Sequence, residues 1–189
     1  MSSTKKIYLA SKSPRRKELL QLMGLSYEIL LKEVDESFPS DLDTKEVAAY
    51  IAQKKADAFE LKEDGIIITA DTVVIIENEI LGKPNDKADA LNMLSKLNGK
   101  KHLVVTGVSI KTTQEIISFS DITEVYFKTL SQADLEFYID NYQPYDKAGA
   151  YGIQEWIGLV AIEKIVGSYT NVMGLPTEKL FEHLRPYLS

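Results

Sequence analysis

Short apolar runs of two kinds follow one another along this chain. Continuous runs bounded by polar residues or glycine favour buried strands, whereas apolar residues three and four positions apart favour helices. The pattern predicts strands over residues 6–10, 27–31, 66–70, 72–76, 79–81, 102–110, 116–127 and 159–165. It predicts helices over 14–23, from the Asp43 and Glu46 pair to about residue 61, and over 86–97, 134–141 and 177–188. Because strands and helices alternate unevenly, we expect an α/β fold with a mixed sheet, in one domain spanning residues 1–189.

Local signals set three of the predicted boundaries. Ser13-Pro14 is typical of a helix N-cap followed by proline at the first helical position. Asp43 and Glu46 have the spacing of a capping box ahead of the second helix. The polar stretch around Thr112-Thr113 predicts a hairpin between the strands on either side.

The composition excludes several classes of protein. Hydrophobic residues make up 44% and charged residues 26% of the chain, which argues against intrinsic disorder. The net charge of −6 gives no bulk attraction to nucleic acid or to an anionic membrane. The longest apolar runs, at 66–70 and 73–76, are far shorter than the roughly 18 residues of a membrane span, and residues 7–10 are too few for a signal-peptide core. Cysteine is absent, which excludes disulfides and thiolate zinc sites, and we expect a cytoplasmic protein.

Basic residues are concentrated at the N-terminus. Residues 1–17 hold six basic residues and no acidic one. Ser11, Ser13, Arg15 and Arg16 fall between the first predicted strand and helix, where backbone N–H groups and the positive end of the helix dipole converge. Arginine in a first helical turn is unfavourable by about 0.3–1 kcal/mol unless an anion offsets it. The segment therefore predicts either a phosphate site or a solvated basic helix start.

Carboxylates form the second group of candidates. Asp71 directly follows the apolar run 66–70, which places it at or near the end of a buried strand, where ligand sites of α/β folds are common. It is a candidate for metal binding or water activation, and the alternative is an Asp that only starts a turn. Glu33, Asp35 and Glu36 add carboxylates in a predicted loop, where they could supply oxygen ligands to Mg²⁺ or simply be solvated.

Three further segments carry weaker signals. Lys83, between glycine and proline, and the pair Lys54-Lys55 could neutralise phosphate or be ordinary exposed lysines. The small residues of segment 146–154 permit close backbone approach to a ligand, or form a plain loop. His102 and His183 have no partner at metal-ligand spacing, so we expect structural roles for both. Walker A, GxGxxG, HExxH and EF-hand motifs are missing, which argues against a P-loop or Rossmann nucleotide site.

These segments form one ordered set of motifs. They are Leu9-Ala10-Ser11, Ser13-Pro14-Arg15-Arg16, Glu36, Lys55, Ala70-Asp71-Thr72, Gly82-Lys83-Pro84, the segment 146–154 and Gly174-Leu175-Pro176. In this order, and over about residues 8–176, they resemble the Maf family of nucleoside triphosphate pyrophosphatases. The combined match is highly specific, although the Gly-Leu-Pro motif alone would carry no information.

The resemblance implies a fold and an activity. The fold is a two-lobed α/β architecture related to the inosine triphosphate pyrophosphatases, with a long mixed sheet and a cleft between lobes. The activity is hydrolysis of a nucleoside triphosphate to the monophosphate and pyrophosphate, linked to house-cleaning of modified nucleotides and to arrest of septum formation. One branch of the family acts on dTTP and UTP, and another acts on 7-methyl-GTP. Arg15, Thr72 and Gln154 agree with the pyrimidine branch at the three selecting positions, and the family implies a homodimer.

The resemblance also implies roles for the candidate residues. Glu36 and Asp71 are expected to hold a divalent cation, and Asp71 to orient or deprotonate the attacking water. Carboxylate and phosphate ligands favour Mg²⁺ or Mn²⁺ over zinc. The residues expected to neutralise the triphosphate and the departing pyrophosphate are Ser11, Arg15, Arg16, Lys55 and Lys83.

Two other interpretations compete with this one. The same chemistry could act on 7-methyl-GTP, and Glu155-Trp156-Ile157 follows Gln154 where relatives often carry small, glycine-rich residues. The chain could instead be a non-enzymatic regulator that binds nucleic acid or the division machinery, supported only by the basic stretch 5–17, which lacks interleaved aromatic residues. We therefore expect a nucleoside triphosphate as the partner, and neither a nucleic acid nor a membrane.

Overall fold

Strands and helices alternate along the computed structural model, which describes residues 5–61 and 64–188. The strands are β1 (Lys6–Leu9), β2 (Glu28–Ile29), β3 (Gly65–Ile76), β4 (Glu79–Leu81), β5 (Lys101–Lys111), β6 (Ile116–Phe127) and β7 (Ile162–Val166). The helices are α1 (Pro14–Leu22), α2 (Val47–Asp57), α3 (Lys87–Leu97), α4 (Gln132–Tyr142), α5 (Trp156–Val160), α6 (Tyr169–Met173) and α7 (Thr177–Leu184). Within the described ranges, every helix is too short or too polar to cross a membrane.

The strands pair into a mixed sheet. β1 pairs in parallel with both β2 and β3, with Ile7 opposite Ile66 and Leu9 opposite Ile68. β4 runs antiparallel to β3, and β7 runs antiparallel to β6. The strand order in the described part of the chain is β2-β1-β3-β5-β6-β7. The predicted α/β fold with a mixed sheet is therefore confirmed.

The chain divides into two compact units. The first unit comprises the described residues up to Asp71, the segment Thr106–Asp121 and the described residues from Gly174 onward. The second unit comprises Thr72–Val105 and Ile122–Met173. One boundary falls between Asp71 and Thr72, inside β3, so neighbouring candidate residues belong to different units.

In the first unit, α2 lies very close to β5. A Cβ atom built on Gly107 would lie 2.2 Å from the Ala49 nitrogen and 2.3 Å from the Ala48 carbonyl carbon, so only glycine fits there. Lys111 Nζ donates to the Ala56 oxygen at 3.1 Å and to the Phe59 oxygen at 2.7 Å, which satisfies carbonyl groups at the end of the helix. Residues at both ends of α2 are thus held against β5.

In the second unit, apolar residues of α3, α4 and α5 pack on strands β3 to β7. The buried ring of His102, on β5, lies edge-on to Phe127, and its Nε2 is 2.8 Å from the Tyr151 hydroxyl. Its Nδ1 has no hydrogen-bond partner among the described residues. Burial lowers the pKa of His102 to about 3, so the ring is neutral near pH 7.

Several predicted boundaries are wrong. α2 ends at Asp57 rather than near residue 61, and its N-cap Glu46 makes no side-chain cap hydrogen bond. Asp43 instead accepts from the Lys45 nitrogen at 2.8 Å in the turn before the helix, so the predicted capping box does not form. The strand predicted to begin at residue 159 starts at Ile162, because residues 156–160 form α5.

Candidate active site

The junction between β1 and α1 matches its prediction. Ser13 caps α1, its side chain accepting from the Arg16 nitrogen, and Pro14 is the first helical residue. Ser11 is buried, and its Oγ accepts from the Ser13 nitrogen at 3.2 Å. No acidic residue lies in the first turn of α1, so the positive end of the helix dipole is not offset from within the helix. The junction has the chemistry of an anion site.

Arg16 joins three segments of the first unit. Its Nε donates to the Gly174 oxygen at 2.7 Å, and its Nη1 donates to the Ala70 oxygen at 2.8 Å and to Ser11 Oγ at 3.3 Å. Burial and the charge of Arg15 lower the pKa of Arg16, and the charge of Asp71 opposes this effect. Because Nη1 contacts both the Ser11 hydroxyl and the Ala70 carbonyl, Arg16 fixes these two residues relative to each other.

Asp71 lies in the middle of a strand. β3 runs without interruption from Gly65 to Ile76, so the expectation that Asp71 lies at or near a strand end is wrong. Asp71 and Thr72 are the two partly exposed residues of an otherwise buried strand. Backbone pairing on both sides of this position therefore fixes where the carboxylate leaves the sheet.

One lysine brings the two candidate metal ligands together. Lys55 Nζ lies 2.7 Å from Asp71 Oδ1 and 2.9 Å from Glu36 Oε1. The side chains of Lys55 and Asp71 are only 16% and 15% exposed, whereas that of Glu36 is 53% exposed. We call Glu36, Lys55 and Asp71 the carboxylate–lysine cluster.

The adjacent lysine of α2 anchors the loop that carries Glu36. Lys54 Nζ lies 2.9 Å from Asp35 Oδ2 and 2.9 Å from the Ser37 oxygen. Asp35 also accepts from the Ser37 nitrogen at 3.0 Å. Hydrogen bonds from Ser37, and then from Lys54, hold the pKa of the Asp35 carboxyl well below its usual range. Consecutive lysines thus hold consecutive acidic residues, so neither member of the Lys54-Lys55 pair is an isolated surface charge.

In the second unit, Lys83 lies beside the glycine-bearing loop. The Gly149 nitrogen donates to the Gly82 oxygen at 3.0 Å, which brings the turn of Lys83 next to residues 148–150. Gly149 has a φ of +67° and faces Val74, where a Cβ atom would lie 2.9 Å from a methyl carbon. Lys83 itself is exposed.

Gln154 belongs to a tight turn whose two ends are held by one side chain. The Glu155 nitrogen donates to the Gly152 oxygen at 3.1 Å, closing a four-residue turn, which we call the Gln154 turn. The Gly152 nitrogen donates to the Tyr138 hydroxyl at 3.0 Å, and that hydroxyl donates to Glu155 Oε2. Glu155 Oε1 also lies 3.1 Å from the buried Lys147 Nζ.

The structure groups some of the predicted residues and separates others by unit. Contacts in the first unit join Ser11 to Arg16, and join Lys55 to Glu36 and Asp71. Thr72, Lys83 and Gln154 belong to the second unit. Tyr138, Lys147 and Glu155 were not predicted as site residues. The departure after Gln154 marks Glu155 in the sequence, whereas Tyr138 looks like any apolar residue of a helix.

The cluster suits a hard divalent cation by its donor chemistry. Within the described ranges, no group of three or more His, Cys, Asp or Glu side chains is placed to hold a metal. Glu36 and Asp71 nevertheless both contact one positive group, the Lys55 ammonium, so their oxygens face a common point. Two carboxylates supplemented by phosphate oxygens are a common ligand set for Mg²⁺.

Comparison with known families identifies the chain. The family model described as Maf-like protein matches residues 6–187. This chain belongs to the Maf-like family. The match extends across both units and includes each motif by which the sequence resembles that family.

Curated relatives of this Maf-like protein carry a specific name. It is 50% identical over 181 residues to the dTTP/UTP pyrophosphatase of Flavobacterium psychrophilum, covering 95% of this chain and 93% of the relative. It is 47% identical over 182 residues to the dTTP/UTP pyrophosphatase of Bacteroides thetaiotaomicron, covering 95% and 94%. Among solved structures, the Staphylococcus aureus Ham1 protein is similar, with a TM-score of 0.51 at 17% identity, covering 95% of this chain and 100% of that one. This last likeness concerns the fold, and it agrees with the predicted architecture.

Proposed function

We propose that this chain hydrolyses dTTP and UTP to the nucleoside monophosphate and pyrophosphate. The observation that carries the proposal is the carboxylate–lysine cluster, in which Lys55 holds Glu36 and Asp71 close together. The names of relatives about half identical over nearly the whole chain support the same activity. The motif resemblance agrees with those names and indicates which residues would carry the activity.

The β1–α1 junction is the proposed triphosphate site. Ser11, the N-terminal backbone of α1 and the neighbouring Arg15 offer hydrogen bonds and positive charge to phosphate oxygens. Arg16 supports the site by fixing Ser11, because two of its acceptors are backbone carbonyls. Lys83 is proposed to neutralise charge on the departing pyrophosphate, where positive charge stabilises the transition state more than the bound substrate.

Asp71 is the proposed base. Its carboxylate is fixed by the middle of β3 and is only 15% exposed, which suits a group that orients a water molecule and accepts its proton. A divalent cation, Mg²⁺ or Mn²⁺, when held by Glu36 and Asp71, supplies positive charge that polarises the phosphates. Lys55, which pairs with both carboxylates, is proposed to neutralise phosphate charge beside them.

Pyrimidine selection is proposed to involve Arg15, Thr72 and Gln154. The Gln154 amide offers both a donor and an acceptor, which suits the carbonyl and N–H edge of thymine or uracil. A polar selector left without its partner penalises the wrong base more strongly than an apolar pocket does.

The deciding experiment measures pyrophosphate release by the purified chain on dTTP, UTP, CTP, ATP, GTP and 7-methyl-GTP. We expect the highest kcat/KM with dTTP and UTP, and loss of turnover in excess EDTA that Mg²⁺ or Mn²⁺ restores. A purine optimum would overturn the substrate assignment. Full activity in EDTA would overturn the metal assignment. Salt-sensitive binding to single-stranded DNA without pyrophosphate release would favour the regulator instead.

A further inference from the structure

One buried hydroxyl in the second unit connects both ends of the Gln154 turn. Tyr138, on α4, is fully buried, yet its hydroxyl accepts from the Gly152 nitrogen and donates to the Glu155 carboxylate. Burial, and the carboxylate beside it, raise the pKa of Tyr138, so the hydroxyl keeps its proton and remains a donor. Gly152 and Glu155 are the first and last residues of the turn.

Charge and packing fix Glu155 further. Lys147, whose side chain is 9% exposed, lies 3.1 Å from Glu155 Oε1 and 2.7 Å from Asp146 Oδ1. A Cβ atom at Gly152 would come within 3.0 Å of both the Glu155 carboxylate and Lys147 Cε, so the turn and the charged pair are in van der Waals contact. Both carboxylate oxygens of Glu155 are therefore engaged, and a rotation of its side chain would leave a buried donor unpaired.

The α5 helix also packs against the turn. A Cβ atom at Gly158, in α5, would lie 1.7 Å from the Ile153 oxygen, so this helix rests directly on the backbone next to Gln154. Ile153 is buried, whereas Gln154 is exposed. Gln154 is thus an exposed side chain on a turn whose two ends contact the Tyr138 hydroxyl and whose backbone packs against α5.

We propose that Tyr138 and Glu155 are positioning residues that fix the Gln154 turn and thereby set the selectivity for the pyrimidine base. The inference rests on the proposed function, because it assigns Gln154 to base recognition. It concerns selectivity rather than turnover, since residues 152–155 of the turn include none of the residues proposed to act on the phosphates. A misplaced amide loses hydrogen bonds to the correct base while leaving the phosphate contacts of the first unit intact.

Tyr138→Phe is the sharpest test, because it removes both hydrogen bonds of the hydroxyl and keeps the ring. We expect the ratio of kcat/KM for dTTP to that for GTP to fall about tenfold or more, mainly through a higher KM for dTTP. Tyr142→Phe is the matched control, since Tyr142 stacks on Tyr138 in the same helix and is partly exposed. It should leave the ratio within about twofold of the parent.

Glu155→Gln provides the second variant, because it keeps the size of the side chain and removes its charge. The parent and all variants are assayed at one temperature, at least about 10 °C below the lowest melting midpoint among them, so that every protein is folded during the assay. A merely structural role would lower kcat/KM equally for every nucleotide. A fall of the ratio in both Tyr138→Phe and Glu155→Gln, absent from Tyr142→Phe, supports the inference.

Three results would overturn it. An unchanged ratio in folded Tyr138→Phe and Glu155→Gln, with a parent that prefers pyrimidines, overturns the inference and leaves the proposed function standing. Failure of both variants to fold also overturns the inference alone, since the network would then be structural. A parent without pyrimidine preference overturns the proposed function, and the inference with it.

Discussion

The carboxylate–lysine cluster and the Gln154 turn are each held by a lysine between one mostly buried and one half-exposed carboxylate, yet the Gln154 turn has additional buried contacts. Lys55 joins Asp71 to Glu36, a residue on a loop with half its side chain exposed. Lys147 joins Asp146 to Glu155, and a buried hydroxyl and close glycine contacts hold Glu155 in addition. Under the proposed function, the first arrangement would handle charge during the reaction, whereas the second would keep a backbone turn in place. The same pairing of a lysine with two carboxylates therefore has two different proposed roles in this chain.

The largest effect is expected from Asp71→Asn. The amide keeps the size of the side chain but accepts no proton, so turnover should fall roughly 10²–10⁴-fold. Folding should survive, because Lys55 keeps Glu36 as a partner and the position is partly exposed. The measurement pairs steady-state pyrophosphate release with thermal melting of the same preparation.

Asp64→Asn is the matched control for this substitution. Asp64 is an exposed carboxylate just before the same strand and pairs with Lys5 at 2.6 Å. Its loss should leave turnover unchanged. Near-parental turnover in folded Asp71→Asn would remove Asp71 from the catalytic role.

The buried pair Lys147–Glu155 and the exposed pair Lys54–Asp35 should contribute differently to stability. Replacing each lysine by methionine tests this. Lys147→Met removes the positive partner of Glu155, a largely buried carboxylate that then keeps, among the described residues, only the Tyr138 hydroxyl, and should lower the free energy of unfolding by about 3 kcal/mol. Lys54→Met removes exposed contacts to Asp35 and should leave stability close to that of the parent. Urea unfolding measures both. If both variants lose the same free energy of unfolding, burial does not make the Lys147 pair more important for stability than the Lys54 pair.

A smaller effect on activity is expected from Arg15→Ala and Lys83→Ala. Each removes a positive charge proposed to contact the triphosphate, and hydrogen bonds to charged groups are worth about 1.5–3 kcal/mol, so kcat/KM should fall roughly 10–100-fold. Lys12→Ala is the control, because Lys12 is exposed in the same basic segment and was not assigned to the site. If both variants turn over like the parent, the phosphate site lies elsewhere.

The smallest effect is a pH dependence of stability in the second unit. His102 has a pKa of about 3 in the folded chain against 6.5 for the free side chain, so the unfolded state binds more protons between those values. Stability is therefore complete above pH 6.5 and is lost as the pH falls, by about 1 kcal/mol from roughly pH 7 to pH 5.5. In urea unfolding at these two pH values, the free energy of unfolding should fall less in His102→Gln than in the parent.

His183→Gln provides the control for this measurement. His183 stacks on Phe119 at 4.4 Å in the first unit, so its replacement removes the other histidine without touching the second unit. If the free energy of unfolding of His102→Gln changes with pH as much as that of the parent, other groups cause the pH dependence.

Local signals predicted the fold well where one residue decides the structure. Ser13-Pro14 fixed the start of α1 correctly because capping depends on adjacent residues. The pattern divided β3 in two at Asp71, since periodicity alone does not distinguish a polar residue within a strand from one after it. The prediction placed Leu159 and Val160, the last two residues of α5, in a strand, because a short apolar run fits either element.

For the site, the motifs identified residues but not their partners. Ser11 and Asp71 were recognised by their place between predicted elements. Arg16 was expected to bind phosphate, and no motif indicates that it donates to the carbonyls of Ala70 and Gly174, which lie far away in sequence. Tyr138 escaped prediction for the same reason, since its role depends on a turn fourteen residues further along the chain. The roles of the site residues, the single-domain organisation, the homodimer and the cytoplasmic location stay predictions.

Gly107 gives the first unit a position from which its chemistry can be changed indirectly. A single methyl group there would press on the backbone of Ala48 and Ala49 and would force α2 away from β5. The same helix carries Lys55, so its displacement would move the ammonium that Glu36 and Asp71 share. A substitution at this buried glycine would therefore act on the proposed cation site without changing any of its residues.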